Sequence, residues 1–353
     1  MSSGKPSVDN LRLEQFHRKG SSQLLTERVE PMSFTVLITR NFEQMSAVGA
    51  DVVIEDIVNT HESRENYVLG LATGNTPTGL YKLLAKAASE GKFDPAKIES
   101  FNLDEYVGLP GENVQQRVLH PESYSFFMIQ ELFGLLGTKF KETNVPWGTL
   151  IDQDRLEAEL KANPIDWEEQ GKDKGKAIVI RKDAQSSYLS WIRDEILDAY
   201  AKKIEERGGI DLHIVGVGGK GHVAFHESGI PFEDNRMLLV RLDDNTVSNA
   251  VEDGHFSSKD KSPWYAISMG TELVYQAKKV VLLANGKRKA GPVAASLLND
   301  PSPTIPISYG QIFSNNGGEM IYVIDLEAAE HVVDYIAEIE KRGIEVKDIS
   351  NHV

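Results

Sequence analysis

Seven short apolar runs recur along the chain, at residues 34–40, 67–73, 98–103, 212–217, 237–242, 279–284 and 320–325. Rich in Val, Ile, Leu and Tyr and too short for helices, they predict buried strands. Residues 42–59, 79–90, 187–206 and 288–298 instead return apolar side chains every three to four positions, which predicts amphipathic helices. A last stretch of this kind, 326–342, predicts a terminal helix docked on the sheet or on a second subunit. The alternation predicts an α/β fold: a mostly parallel, Rossmann-like sheet sandwiched by helices, with ligand sites just beyond the C-terminal ends of its strands.

Two segments break the rhythm. Residues 1–32 are polar and aperiodic and read as an N-terminal extension, leaving 33–353 as a single domain. Residues 152–176 (DQDRLEAELKANPIDWEEQGKDKGK) are charged and weakly apolar, which fits a surface insertion or an ordinary connecting helix with a solvated face.

Composition then narrows the chemistry. The 353 residues include 53 acidic and 38 basic side chains, a formal charge of −15, and no cysteine. A net negative field without a long basic run disfavours nucleic acid as a partner, so an anionic ligand needs a local positive site. The missing thiols exclude cysteine nucleophiles, disulfides, iron–sulfur clusters and Cys-ligated zinc. Nine scattered histidines without an HExxH spacing suggest no metal. No secretory or membrane-spanning run is present, so the expected compartment is the cytoplasm, with no membrane partner.

Four loops, each following a strand, carry candidate chemistry. In LATGNTPTGLYKLL, the turn Thr73, Gly74, Asn75 and Thr76 leads into a helix, offering free N–H groups and hydroxyls to a phosphate; a merely Gly- and Thr-rich turn would look the same. In FNLDEYVGLP, the adjacent carboxylates Asp104 and Glu105 repel each other, which raises the pKa of one and suits it to proton transfer, with Asp104 the candidate base; the alternative is a solvent-facing acidic turn. In VGVGGKGHVAFHESG, His222 follows Gly219 and Lys220, with His226 and Glu227 behind it, and offers a general acid or base with a carboxylate partner, or else a structural histidine in a tight crossover. In ANGKRKAG, Lys287, Arg288 and Lys289 crowd a helix start where cations oppose the macrodipole, a placement that a bound anion, or a solvated basic turn, would account for.

Taken in this order, and with HPESYSFFM between the second and third loops, these segments resemble the glucosamine-6-phosphate deaminase (isomerase) family, whose fold is shared with 6-phosphogluconolactonases. The resemblance covers about residues 34–325, excepting the middle insertion and the N-terminal extension. It implies an enzyme without a cofactor that isomerises and deaminates an amino-sugar 6-phosphate, glucosamine 6-phosphate giving fructose 6-phosphate and ammonia, and that works as a homo-oligomer on a small-molecule sugar phosphate. By position, His222 would assist ring opening and Asp104 would move the proton from C2 to C1. Glu227 would orient His222, Glu105 would belong to the catalytic set beside Asp104, and Lys289 with the turn from Thr73 to Thr76 would hold the phosphate, with Gly219 and Lys220 also contacting the substrate. Two positions depart from the family pattern: Lys220 stands where an acidic residue is typical, and Thr246 where a phosphate-binding arginine is. One substitution could answer the other if Lys220 or Arg288 reaches the anionic group. The other readings are a lactonase acting on a phosphorylated sugar lactone and a sugar-phosphate sensor without turnover.

Overall fold

The computed structural model describes residues 32–252 and 254–352. Apart from Met32, the N-terminal extension lies outside the described residues.

Thirteen strands are described. They are β1 (Phe34–Thr39), β2 (Tyr67–Leu71), β3 (Ile98–Asn102), β4 (Asp104–Val107), β5 (Glu142–Asn144), β6 (Trp167–Gln170), β7 (Lys176–Ile180), β8 (Leu212–Val215), β9 (Met237–Arg241), β10 (Tyr265–Met269), β11 (Lys279–Ala284), β12 (Glu319–Asp325) and β13 (Glu345–Asp348). Eight of them form one sheet in the order β13-β1-β12-β11-β8-β2-β3-β5, and every pairing in it is parallel. Buried apolar side chains cover both faces, which is why its central strands read as continuous apolar runs rather than alternating ones. Helices Phe42–His61 and Thr78–Ser89 cover one face through Met45, Val53, Ile57, Leu80 and Leu84.

The other five strands form a separate antiparallel sheet, β4-β10-β9-β7-β6. Residues 237–242, read in sequence as one more strand of the parallel alternation, belong to this sheet as β9; hydrophobicity marks a strand but not its partner. The charged stretch 152–176 supplies helix Gln153–Ala162, which buries Leu156 and Leu160, and the edge strand β6, whose polar residues suit an edge.

The expected helix over 326–342 is shorter. Turns occupy 326–332, with Ala328, Ala329 and Val332 buried, and the helix is Ile336–Lys341. Asp325 redirects the chain by accepting the Ala328 N–H at 2.8 Å and the Gly286 N–H at 3.1 Å. Among the described residues, no helix is long and apolar enough to cross a membrane.

Leu103 is the corner between the sheets. Its N–H donates to Leu71 O in the parallel sheet at 3.1 Å, and its carbonyl accepts from the Met269 N–H of the antiparallel one at 2.8 Å. The next residue is Asp104, which therefore sits where the two sheets part.

Candidate active site

The adjacent strands β11, β8, β2 and β3 send their C-terminal loops into one cleft of about 770 Å³, at the end of the sheet where α/β proteins bind ligands. Thr73, Gly74, Asn75 and Thr76 line it after β2, Asp104 after β3, Gly218 and His222 after β8, and Asn285 to Lys289 after β11. All four sequence-predicted loops thus converge.

Strand alternation in β4 decides which carboxylate faces the cleft. Asp104 and Tyr106 line it; Glu105, between them, does not. Asp104 is 5% exposed, and burial, reinforced by the charge of Glu105, pushes its carboxyl up to about 8, against the one long contact from the Thr73 hydroxyl at 3.4 Å. A carboxyl so placed can take up and return a proton near neutral pH.

Glu105, expected to share in the acid–base work, is turned away from the cleft. Fully buried, it accepts hydrogen bonds from the Ser123 hydroxyl at 2.8 Å and the Tyr124 and Ser125 N–H groups at 3.0 and 3.1 Å. It ties β4 to the HPESY segment and so sets the wall on which Asp104 stands. Replacing it by Ala takes the acceptor from the buried Ser123 hydroxyl and the part-buried Tyr124 N–H, so Glu105→Ala is expected to lower unfolding stability by about 2–4 kcal/mol in denaturant melts; a change within about 0.5 kcal/mol, as at ordinary surface sites, would count against this role.

His222 faces the cleft with Nδ1 3.4 Å from Glu227 Oε2. Glu227 lies behind it, 1% exposed. Burial works against its charge, but His222, the Thr246 hydroxyl at 2.6 Å and the Asp243 N–H at 3.3 Å together hold its carboxyl below the usual range. The ring of His222 lies over Gly218, where a Cβ would fall 1.7 Å from Nε2, so the position admits only glycine while the ring keeps this place. His226 does not line the cleft. Its Nδ1 accepts the Thr271 N–H at 3.1 Å, leaving Nε2–H to donate to Ile230 O at 3.1 Å; burial lowers its pKa to about 4, and the neutral ring is a structural link.

The turns after β2 and β11 meet across the cleft. Gly74 and Gly286 both adopt positive φ, +95° and +86°, and the Thr76 hydroxyl donates to Asn285 Oδ1 at 2.8 Å, joining the two turns. Lys287, Arg288 and Lys289 line the same end of the cleft.

Lys220 and Gly219, expected among the substrate contacts, do not line the cleft. Lys220 Nζ instead sits 3.1 Å from both Asp173 and Asp243. Thr246 lines the cleft and donates its hydroxyl to Glu227.

Several lining residues escaped the sequence reading. Tyr106, Tyr124 and Phe225 form an aromatic wall, with ring centroids 5.0 and 5.3 Å from Tyr106. Strand alternation could have singled out Tyr106. Glu122 and His255, paired at 2.7 Å, are 133 positions apart and gave no local signal. Among the described residues, no group of three or more His, Cys, Asp or Glu could hold a metal ion.

Fold and cleft together define an α/β protein with one ligand-sized cleft, in which a buried carboxyl, a histidine–glutamate pair and a basic turn stand on separate strand ends. No protein-family model matches the chain. The glucosamine-6-phosphate deaminase of Clostridium botulinum strain Loch Maree is 32% identical over 294 residues, 83% of this chain and 97% of that protein. That of Clostridium acetobutylicum is 30% identical over 295 residues, 84% of this chain and 98% of that protein. The chain belongs to the glucosamine-6-phosphate deaminase family. Among solved structures, a monomeric glucosamine-6-phosphate deaminase of the NagB superfamily superposes with a TM-score of 0.63 at 25% identity, covering 84% of this chain and 99% of that one. The 6-phosphogluconolactonase of Trypanosoma brucei shares the fold, with a TM-score of 0.54 at 17% identity over 85% of this chain and all of the other.

Proposed function

We propose that this chain converts glucosamine 6-phosphate to fructose 6-phosphate and ammonia. The observation that carries the reading is the buried Asp104 carboxyl, raised to about 8, in one cleft with the His222–Glu227 pair and the two anion-holding turns. The phosphate is held by Lys289 and by the turn from Thr73 to Thr76. His222 shuttles the proton that opens the sugar ring, and the free aldehyde then acidifies the hydrogen on C2. Asp104 takes that proton and delivers it to C1, leaving a 2-imino sugar. Water adds to the imine carbon, ammonia leaves, and the ketose phosphate remains. The substrate's own carbonyl stabilises the intermediate, so no cofactor enters.

The test is ammonia and ketose release across a panel of amino-sugar phosphates. Hydrolysis of a phosphorylated sugar lactone without ammonia would favour the lactonase reading; ligand binding without either product would favour a sensor. Lys289→Ala should raise KM roughly 10- to 100-fold with kcat less affected, because a charge-assisted contact to phosphate is worth about 1.5–3 kcal/mol. An unchanged KM would place the phosphate elsewhere.

The reading further takes residues 33–353 as one catalytic domain, with 1–32 as an extension and 152–176 as an insertion, acting in the cytoplasm without nucleic acid or membrane partners. It includes a homo-oligomer, for which the half-exposed Leu119, Ile129 and Leu135 supply apolar surface. Sedimentation showing only a monomer would remove that part.

A further inference from the structure

The Glu227 carboxylate is almost wholly out of water, so its charge depends on the groups that surround it. Three loops supply them. The turn after β8 brings His222 to 3.4 Å. The segment after β9 donates the Asp243 N–H and the Thr246 hydroxyl to Oε1. The loop before β7 packs Gly175 so closely that a Cβ there would fall 2.6 Å from Glu227 Cβ and Cγ.

Lys220 touches all three. It stands two residues before His222, and its Nζ lies 3.1 Å from Asp173, in the loop that carries Gly175, and 3.1 Å from Asp243. Asp243 is 2% exposed, and its second oxygen accepts the Asn245 N–H at 2.7 Å. The ammonium therefore neutralises the side chain of the residue whose backbone N–H grips Glu227. Without it, the buried Asp243 carboxylate would lose its counter-charge, and the cheapest relief is for the 243–246 turn to open towards water, withdrawing the Asp243 N–H and the Thr246 hydroxyl from Glu227.

Resting on the deaminase reading, we propose that Lys220 is a positioning residue: it locks the 171–175 and 243–246 loops around Glu227 so that this carboxylate stays aimed at His222, and it takes no part in holding the phosphate.

The experiment is steady-state ammonia release from glucosamine 6-phosphate by the full-length wild type, Lys220→Met and Lys220→Arg, each assayed well below its own unfolding midpoint. Second-sphere groups that orient a reacting side chain typically cost about 10- to 100-fold when lost. Lys220→Met should lower kcat by that factor with KM within about threefold of wild type, and Lys220→Arg should recover most of the loss, since a guanidinium can bridge both aspartates. A KM raised roughly tenfold or more with kcat retained, the signature of lost uniform binding, would make Lys220 a phosphate ligand and overturn the proposal. So would wild-type kinetics in Lys220→Met. Should Lys220→Met fail to fold, Asp173→Asn removes only the more exposed half of the link and should lower kcat in the same sense by a smaller factor; an unchanged kcat overturns the proposal. A wild-type chain that releases no ammonia overturns the deaminase reading instead. The linkage is then read from amide hydrogen exchange, where Lys220→Met should deprotect residues 173–176 and 243–246, and unchanged protection would refute it.

Discussion

Asp104→Asn should abolish nearly all turnover, with kcat down by about 10²–10⁴, the usual contribution of a positioned general base. The amide keeps the shape of the side chain and its place at the sheet corner, so binding of the sugar phosphate should survive, and a ligand-induced shift of the unfolding midpoint measures that separately. The pH dependence is distinctive. The base must be ionised to take the C2 proton, so kcat/KM of the wild type should rise with pH towards about 8, and this limb should vanish in the variant's residual activity. Stability should move the other way. A folded pKa of about 8, above the ordinary value of 3.8, means that the native state holds the proton more tightly than the unfolded chain. Its stabilising effect is complete in acid below the unfolded value and is lost as pH rises through the folded one. Asp104→Asn should therefore gain stability relative to wild type as pH rises from about 4 to 8. An unfolding midpoint difference that stays flat across that window would show that Asp104 is solvated, and would remove the proton carrier from the scheme.

Gly218→Ala is expected to cost about 10²-fold in kcat, because an ångström-scale displacement of a reacting group has that effect. The backbone at 218 is not left-handed, so alanine is sterically acceptable to the chain itself. What it cannot share space with is the His222 ring, whose Nε2, Cδ2 and Cε1 lie 1.7–2.1 Å from the new Cβ. The ring must swing away from Glu227. Because the damage acts through His222, it should be absent when His222 is already gone: Gly218→Ala in a His222→Ala background should lower kcat little further. Equal losses in both backgrounds would mean that the glycine serves something else, and near wild-type activity in the single variant would show that His222 has another productive place.

The parallel strands were the most legible part of the fold because each is buried on both faces and so spells a continuous apolar run. β11 was read to the residue, and β1, β2, β3, β8 and β12 to within two at either end. The strands that sequence missed, β4, β5, β6, β7, β10 and β13, are short or polar or lie beside charged stretches; their pairing is set by distant partners, such as Ser268 opposite Asp104. Of the site, the residue types and loops were legible, but direction was not. Asp104 and Glu105 are chemically alike in sequence, and only the pleat of β4 turns one to the cleft and the other to Ser123. Lys220, two residues before His222, reads as a cleft residue, yet two aspartates hold it outside.

The sequence by itself determined the layered α/β architecture, the order of the four loops and the kinds of group they carry, since burial on both faces and the chemistry of turns are local properties of the chain. Only the tertiary structure decided which carboxyl is raised, which histidine faces the cleft and which cations line it. Those outcomes depend on desolvation and on charges that arrive from far along the chain, as when Asp243 and Asp173 claim Lys220 and Thr271 occupies the acceptor nitrogen of His226.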